Sequence, residues 1–145
     1  MRYVSKITCA PVTAERAYAW LSDMENLRPL QDWLTASAGK LPMGLEVERV
    51  EFASDSVSVF LKGHDPVSLT RIDGEPDKTL KFAVRGAGKD ITLWVQLLEK
   101  TPGTTHFRLT AEADLPFLLR KMLGDKIQNG TDAVADALAR LPYNG

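Results

Sequence analysis

The spacing of hydrophobic and polar positions changes period several times along the chain, and each change marks an element. Residues 2–9 alternate, with Tyr3, Ser5, Ile7 and Cys9 on one side and Val4, Lys6 and Thr8 on the other, which predicts a first strand ended at Pro11. Thr13 is placed to cap a helix running to about Ser22, whose apolar contacts come from Ala17, Tyr18, Trp20 and Leu21. A second short helix carries Met24, Leu27, Leu30 and Trp33, with Pro29 limiting its length. Residues 35–44 have no clear period and are rich in small residues, so a loop is expected there.

Six strand-like runs follow, at approximately 45–53, 57–62, 67–72, 79–85, 91–99 and 104–113. Alternation is cleanest in Val57/Val59/Leu61, Leu80/Phe82/Val84 and Ile91/Leu93/Val95/Leu97, whose apolar phases point one way. The first run changes phase between Val47 and Val50, which predicts a bulge near Glu48-Arg49. Turn residues separate the runs, including Ser54-Asp55, Gly63-His64-Asp65-Pro66 and Pro102-Gly103. These connections are too short for crossover helices, so the strands pair as an antiparallel meander.

The last segment, 115–141, reads as one long amphipathic helix. Leu119, Leu123, Ile127, Gly130, Val134, Leu138 and Leu141 recur at spacings of four and three, with Leu118 and Met122 widening the stripe. Asp114 is the expected N-cap, Pro116 falls in the first turn and Pro142 is the stop signal. Gly124 and Gly130 each cost about 1 kcal/mol relative to Ala. They signal a kink, a close approach to the sheet, or room for a ligand beneath the helix. Asn129-Gly130 is also a turn-like dipeptide, which leaves two consecutive helices open.

Composition narrows the function classes. A chain of 145 residues, 44% hydrophobic and 26% charged, is expected to form a single domain over 1–145 with an ordinary core. A net charge of -1 with no basic stripe argues against nucleic-acid binding. The single cysteine rules out an internal disulfide and a cysteine metal cluster, and Cys9 is expected to be a buried strand residue. No run approaches the roughly 18 apolar residues of a membrane span, and the first residues lack a signal-peptide pattern. A cytoplasmic protein with no stable membrane insertion is the expectation.

The order of elements, together with one local pattern, resembles the START-like (SRPBCC) superfamily, the helix-grip group of Bet v 1 allergens, polyketide cyclases and lipid-transfer domains. That pattern is the stretch from Ala10-Pro11 through the helix containing Tyr18 and Trp20 to Asp23 and Asn26, with an aromatic at Trp33 and the long closing helix opening near Asp114-Leu115-Pro116. The resemblance implies an α+β fold: a curved antiparallel seven-stranded sheet around a long C-terminal helix, with two short helices after strand 1. It also implies a ligand, such as a lipid, polyketide or aromatic metabolite, held between sheet and helix. These motifs are structural, and no position matches a family-wide catalytic motif.

Catalytic chemistry is thinly represented. His64 falls in a turn and His106 on the polar phase of the last strand, without metal-ligand spacing. Gly86-x-Gly88 precedes a strand, so it is a hairpin loop and no dinucleotide or other cofactor is expected. Arg49 and Arg71 interrupt apolar phases, so one of them could meet a ligand carboxylate, although structural ion pairing is the commoner role. Trp94 beside Leu98 would form an exposed patch and a homodimer contact if the outer sheet face is solvated.

The leading expectation is therefore binding of a small hydrophobic or amphipathic ligand, lined by Phe52, Val59, Phe82, Leu93, Val95, Phe107, Leu119, Met122 and Leu123. Trp33 would lie near the mouth, with residues 35–44 as the gate. The alternatives are a cyclase- or dehydratase-type enzyme acting in the same cavity, marked by an inward ionisable group among His106, Arg71 and Arg108, and an interaction domain with a filled core.

Overall fold

The computed structural model describes residues 2–29, 31, 46–86, 89–114 and 116–143. Its strands are β1 (Arg2–Val4), β2 (Thr8–Ala10), β3 (Val47–Phe52), β4 (Ser56–Leu61), β5 (Val67–Glu75), β6 (Thr79–Gly86), β7 (Lys89–Thr101) and β8 (Thr104–Ala113). Helices α1 (Ala14–Ser22) and α2 (Phe117–Ala139) frame the meander, and a single 3₁₀ turn, Met24–Leu27, follows α1. The strand order is β1-β8-β7-β6-β5-β4-β3, antiparallel where pairs are described, with β2 also pairing β8.

The N-terminal strand breaks where one unbroken strand was expected, giving a sheet of eight strands instead of seven. Ser5 causes the break. Its backbone N–H donates to Leu109 O at 2.8 Å, while its Oγ accepts from Leu109 N at 2.9 Å and donates to Lys6 O at 2.7 Å. A side chain thus replaces a main-chain carbonyl in the ladder, and the alternation slips by one residue. Thr8 and Ala10 come to face inward opposite Phe107 and Thr105, whereas Ile7 is 57% exposed and Cys9, expected to be buried, is also exposed.

Local chemistry accounts for the helices. Thr13 Oγ1 accepts from Arg16 N at 3.2 Å, Glu15 occupies the positive end of the dipole, and Ala17 and Leu21 are buried. Asp23 caps the 3₁₀ turn through Glu25 N at 3.1 Å. In α2 the expected cap fails: the helix starts at Phe117 with Pro116 in the cap position and no side-chain cap bond, because proline brings no acceptor and displaces Asp114 from the capping site. The helix runs unbroken through both Gly124 and Gly130, so the two-helix alternative does not hold.

Sheet irregularities fall where turn and bulge chemistry put them. Pairing of β3 with β4 shifts register between Val47 and Arg49, at the expected bulge. The Pro102-Gly103 turn closes β7 on β8, with Gly103 at φ 81, the left-handed value that a type II turn demands. Strand β5 runs three residues beyond its expected end, through Gly74, where a Cβ would lie 2.5 Å from Thr79 O.

The same two backbone elements are fastened together by Glu99. Its carboxylate accepts from Ala14 N at 2.7 Å and from Gly103 N at 3.0 Å, joining the start of α1 to the β7–β8 turn. These backbone bonds, Gly103 first, hold its carboxyl below the ordinary value of 4.5. A depressed carboxylate pKa means stability that is present above the ordinary value and lost as pH falls through it. Glu99→Gln is therefore expected to lower the melting temperature at pH 7, and its deficit against wild type should shrink by pH 4. A deficit independent of pH would assign the loss to packing instead of charge.

Candidate functional site

Register alone arranges the concave face of the sheet into rows of side chains. One row runs Phe52, Val57, Leu69, Val84, Ile91, Ala113 across β3 to β8. A second runs Arg71, Phe82, Leu93, Ala111, Tyr3 across β5 to β1. A third contains Leu80, Val95 and Leu109, and a fourth Leu97, Phe107 and Thr8. The last two rows belong to the packed core, which also takes in Val57 and Phe82 of the first two, with Phe52, Leu69 and Leu93 packed against it. Val95, Leu97, Phe107 and Leu109 pack with Leu21 of α1, with Leu138 of α2 and with Leu141 and Tyr143 beyond it.

Tyr143 closes that end. Its ring lies edge-on to Trp20 with centroids 5.0 Å apart and stacks on Phe107 at 5.8 Å, and its hydroxyl donates to Leu138 O at 2.6 Å. Burial pushes the phenol well above its ordinary value. Four residues after the last helical position, it had no periodicity to announce it.

The packed cluster stops short only of the β7, β8 and β1 ends of the first two rows. Tyr3, Ala111 and Ala113 are buried yet lie outside it, as do half-buried Val84 and Ile91. Strand β8 tapers here: its inward residues go from Phe107 and Leu109 to Ala111 and Ala113. Across from them α2 brings Gly124, where a Cβ would come no closer than 3.8 Å to any heavy atom it faces, the Tyr3 hydroxyl. Small side chains thus face one another across this sector, on β8 and on α2.

Of the residues expected to line a cavity, Phe52, Phe82 and Leu93 lie on these two rows. Val59 sits beside Val50 and Val67 on the same concave phase. Val95 and Phe107 belong to the packed end, Phe107 with no exposure at all. Positions 119 and 123 lie on α2, and Trp33 and the gate at 35–44 lie outside the described residues. Met122 and Leu118 do not widen the inward stripe; both are 71% exposed. Thr131, which is buried, follows Met122 by nine residues, two and a half helical turns, so the two point in opposite directions. The inward face of α2 instead runs through Ile127, Thr131, Val134, Ala135 and Leu138, and Gly130 is exposed.

Sequence reasoning missed Tyr3, Ala111 and Ala113. The step from large to small at alternate positions of β8 was the available signal.

The polar candidates separate cleanly. Arg49 is on the outer face, its guanidinium 3.9 Å from the centroid of Phe60 and paired with Glu51, so only Arg71 shares the concave phase. Arg71 is exposed, at the rim. His106 and Arg108 are outward residues of β8. His106 lines a shallow hollow of about 240 Å³ with Ile7, Leu98 and Lys100 on the convex side. Trp94 lies half-buried between Arg2 and Lys81, 5.8 and 5.6 Å from its ring centroid. A Gln96–Arg108 hydrogen bond of 2.6 Å separates it from exposed Leu98, so the two form no continuous apolar patch. Among the described residues no cluster of three metal-ligating side chains occurs, and no helix is long and apolar enough to cross a membrane.

A sheet wrapped on a C-terminal helix in this way is also found among solved structures. Norcoclaurine synthase from Thalictrum flavum, solved with dopamine and hydroxybenzaldehyde, aligns with a TM-score of 0.63 at 14% identity over 97% of this chain and 86% of its own. A START superfamily protein from Mycobacterium smegmatis aligns with a TM-score of 0.57 at 11% identity, covering 97% and 98%. The chain has a START-like fold. CalU16 from Micromonospora echinospora shares it too, with a TM-score of 0.54 at 14% identity over 96% of this chain and 81% of that one. No family profile and no curated protein sequence matches the chain. At these identities the START-like assignment concerns the path of the backbone; the chemistry of the cleft rests on this chain's own side chains.

Proposed function

We propose that the chain is a single START-like domain over 1–145 that binds a small hydrophobic or amphipathic molecule, such as a lipid, polyketide or aromatic metabolite. The ligand occupies the tapered sector between the sheet and α2. The observation that carries this reading is the pair of inward rows from Phe52 to Ala113 and from Phe82 to Tyr3, apolar apart from one hydroxyl, facing a helix that carries glycine at 124. Ligand sites are mostly apolar concavities with few orienting polar groups, and this sector has that composition. Phe52, Val59, Phe82 and Leu93 form its floor, and Arg71 is a rim cation suited to a ligand acid. That norcoclaurine synthase holds two aromatic molecules on the same fold supports an aromatic or similarly sized ligand.

Native mass spectrometry of the purified protein, followed by organic extraction, tests the reading. The expected result is an equimolar organic adduct, or uptake of one added equivalent of 1-anilinonaphthalene-8-sulfonate with a rise in its fluorescence. A bare-chain mass combined with no dye uptake would overturn it.

A further inference from the structure

Tyr3 is 6% exposed and its hydroxyl has no hydrogen-bond partner, though the rest of the strand is fully engaged. Its neighbours on either side are tied down: Arg2 Nε donates to Glu112 at 2.8 Å, and Gln128 Nε2 donates to Val4 O at 2.8 Å. A buried phenol without a partner forfeits its hydrogen bonds to water and gains none in exchange. Phenylalanine at this position would fill the same space without that cost.

The surroundings of that oxygen narrow what could partner it. The hydroxyl points at Gly124, 3.8 Å from where a Cβ would stand, and its cross-strand neighbour is Ala111. The row beyond, Leu93 and Phe82, offers only carbon, and the first cation on that row is Arg71 at the far rim. A phenol near neutral pH is a hydrogen-bond donor that carries no charge. It suits an uncharged acceptor in an apolar cleft, since a carboxylate there would lack a nearby cation.

The described hydrogen bonds and ion pairs that join α2 to other elements all lie at or beyond Gln128. They are Gln128 to Val4 O, Asp132 from Lys6 N, Ala135 O from Thr8 Oγ1, and the Lys6–Asp136 ion pair at 2.8 Å.

We propose that the Tyr3 hydroxyl donates a hydrogen bond to a carbonyl or hydroxyl oxygen of the bound ligand, beside Gly124 of α2. This inference rests on the ligand-binding reading above and assigns its ligand class: oxygenated, with an uncharged acceptor at the buried end.

The test compares two probes of matched shape, 1-tetralone and tetralin, as competitors of bound 1-anilinonaphthalene-8-sulfonate. Wild type is expected to prefer the ketone about tenfold. Tyr3→Phe should lose the preference for the ketone over tetralin and melt no lower than wild type. A preference that survives in Tyr3→Phe, or a wild type that does not discriminate, would overturn the assignment while leaving the binding reading intact. Failure of the dye and both probes to bind wild type would overturn the two together. A lower melting temperature in Tyr3→Phe would assign the oxygen a structural role instead.

Discussion

Tyr143→Ala is expected to melt roughly 10–15 °C below wild type. The substitution removes a ring with 3% exposure that touches Trp20 on its edge and Phe107 on its face. Truncating a buried aromatic residue to Ala typically costs about 3–5 kcal/mol, and a domain of this size loses about 3 °C per kcal/mol. Tyr143→Phe separates the ring from the hydroxyl. It should lose about 1 kcal/mol, the net value of the bond to Leu138 O. Alkaline titration adds a second check. Because burial raises this phenol's pKa above its ordinary value of 10.0, the unfolded chain gives up the proton first. The stability is therefore complete below about pH 10 and falls as pH rises beyond it, by at most about 1.4 kcal/mol per pH unit. Calorimetric scans from pH 8 to 11 should show that decline in wild type and a weaker one in Tyr143→Phe. Superimposable scans would remove the phenol from the account.

Gly124→Leu is expected to weaken ligand binding about a hundredfold while leaving the fold at least as stable. Nothing in the structure blocks the first added carbon, which stands 3.8 Å from the Tyr3 oxygen and 4.0 Å from its ring, ordinary contact distances. Replacing a mid-helix glycine by leucine gains somewhat under 1 kcal/mol in propensity. The remaining carbons then occupy the sector between α2 and Ala111, where the proposed ligand would lie. A hundredfold loss is about 2.7 kcal/mol of binding free energy. Titration with 1-anilinonaphthalene-8-sulfonate measures the loss, and a thermal melt measures the stability. Undiminished dye affinity in a stable variant would move the ligand site away from α2.

Much of this architecture could be read from periodicity, because alternation and turn residues report the same backbone choices that the sheet makes. Strand β8 falls on its expected limits, and the bulge near Arg49 was announced by the phase change between Val47 and Val50. The break at Ser5 was hidden, since it depends on a hydrogen bond to Leu109, more than a hundred residues away. The start of α2 was misread for a related reason: an acceptor at Asp114 is visible in the sequence, but proline's hold on the backbone at the cap position decides the geometry. For the site, Phe52, Phe82 and Leu93 followed from strand phase. Tyr3 and Ala111 did not, because what distinguishes them is an unmet hydrogen bond and a missing volume. Met122 misled because an apolar residue on a helix carries no label for the side it faces.

The pairing of β1 with β8 also sets a timetable for synthesis. Arg2 meets Glu112, 110 residues downstream, whereas every pair from β3 to β8 joins neighbours in the chain. At about 5–20 residues per second, a ribosome takes roughly 5–20 s to deliver that partner. Throughout that interval β1 and β2 have no ladder to join. The meander can form hairpin by hairpin as it leaves the exit tunnel, and the amino-terminal strands dock only after the segment they border has arrived. The part of this sheet that is made first is therefore among the last to become protected.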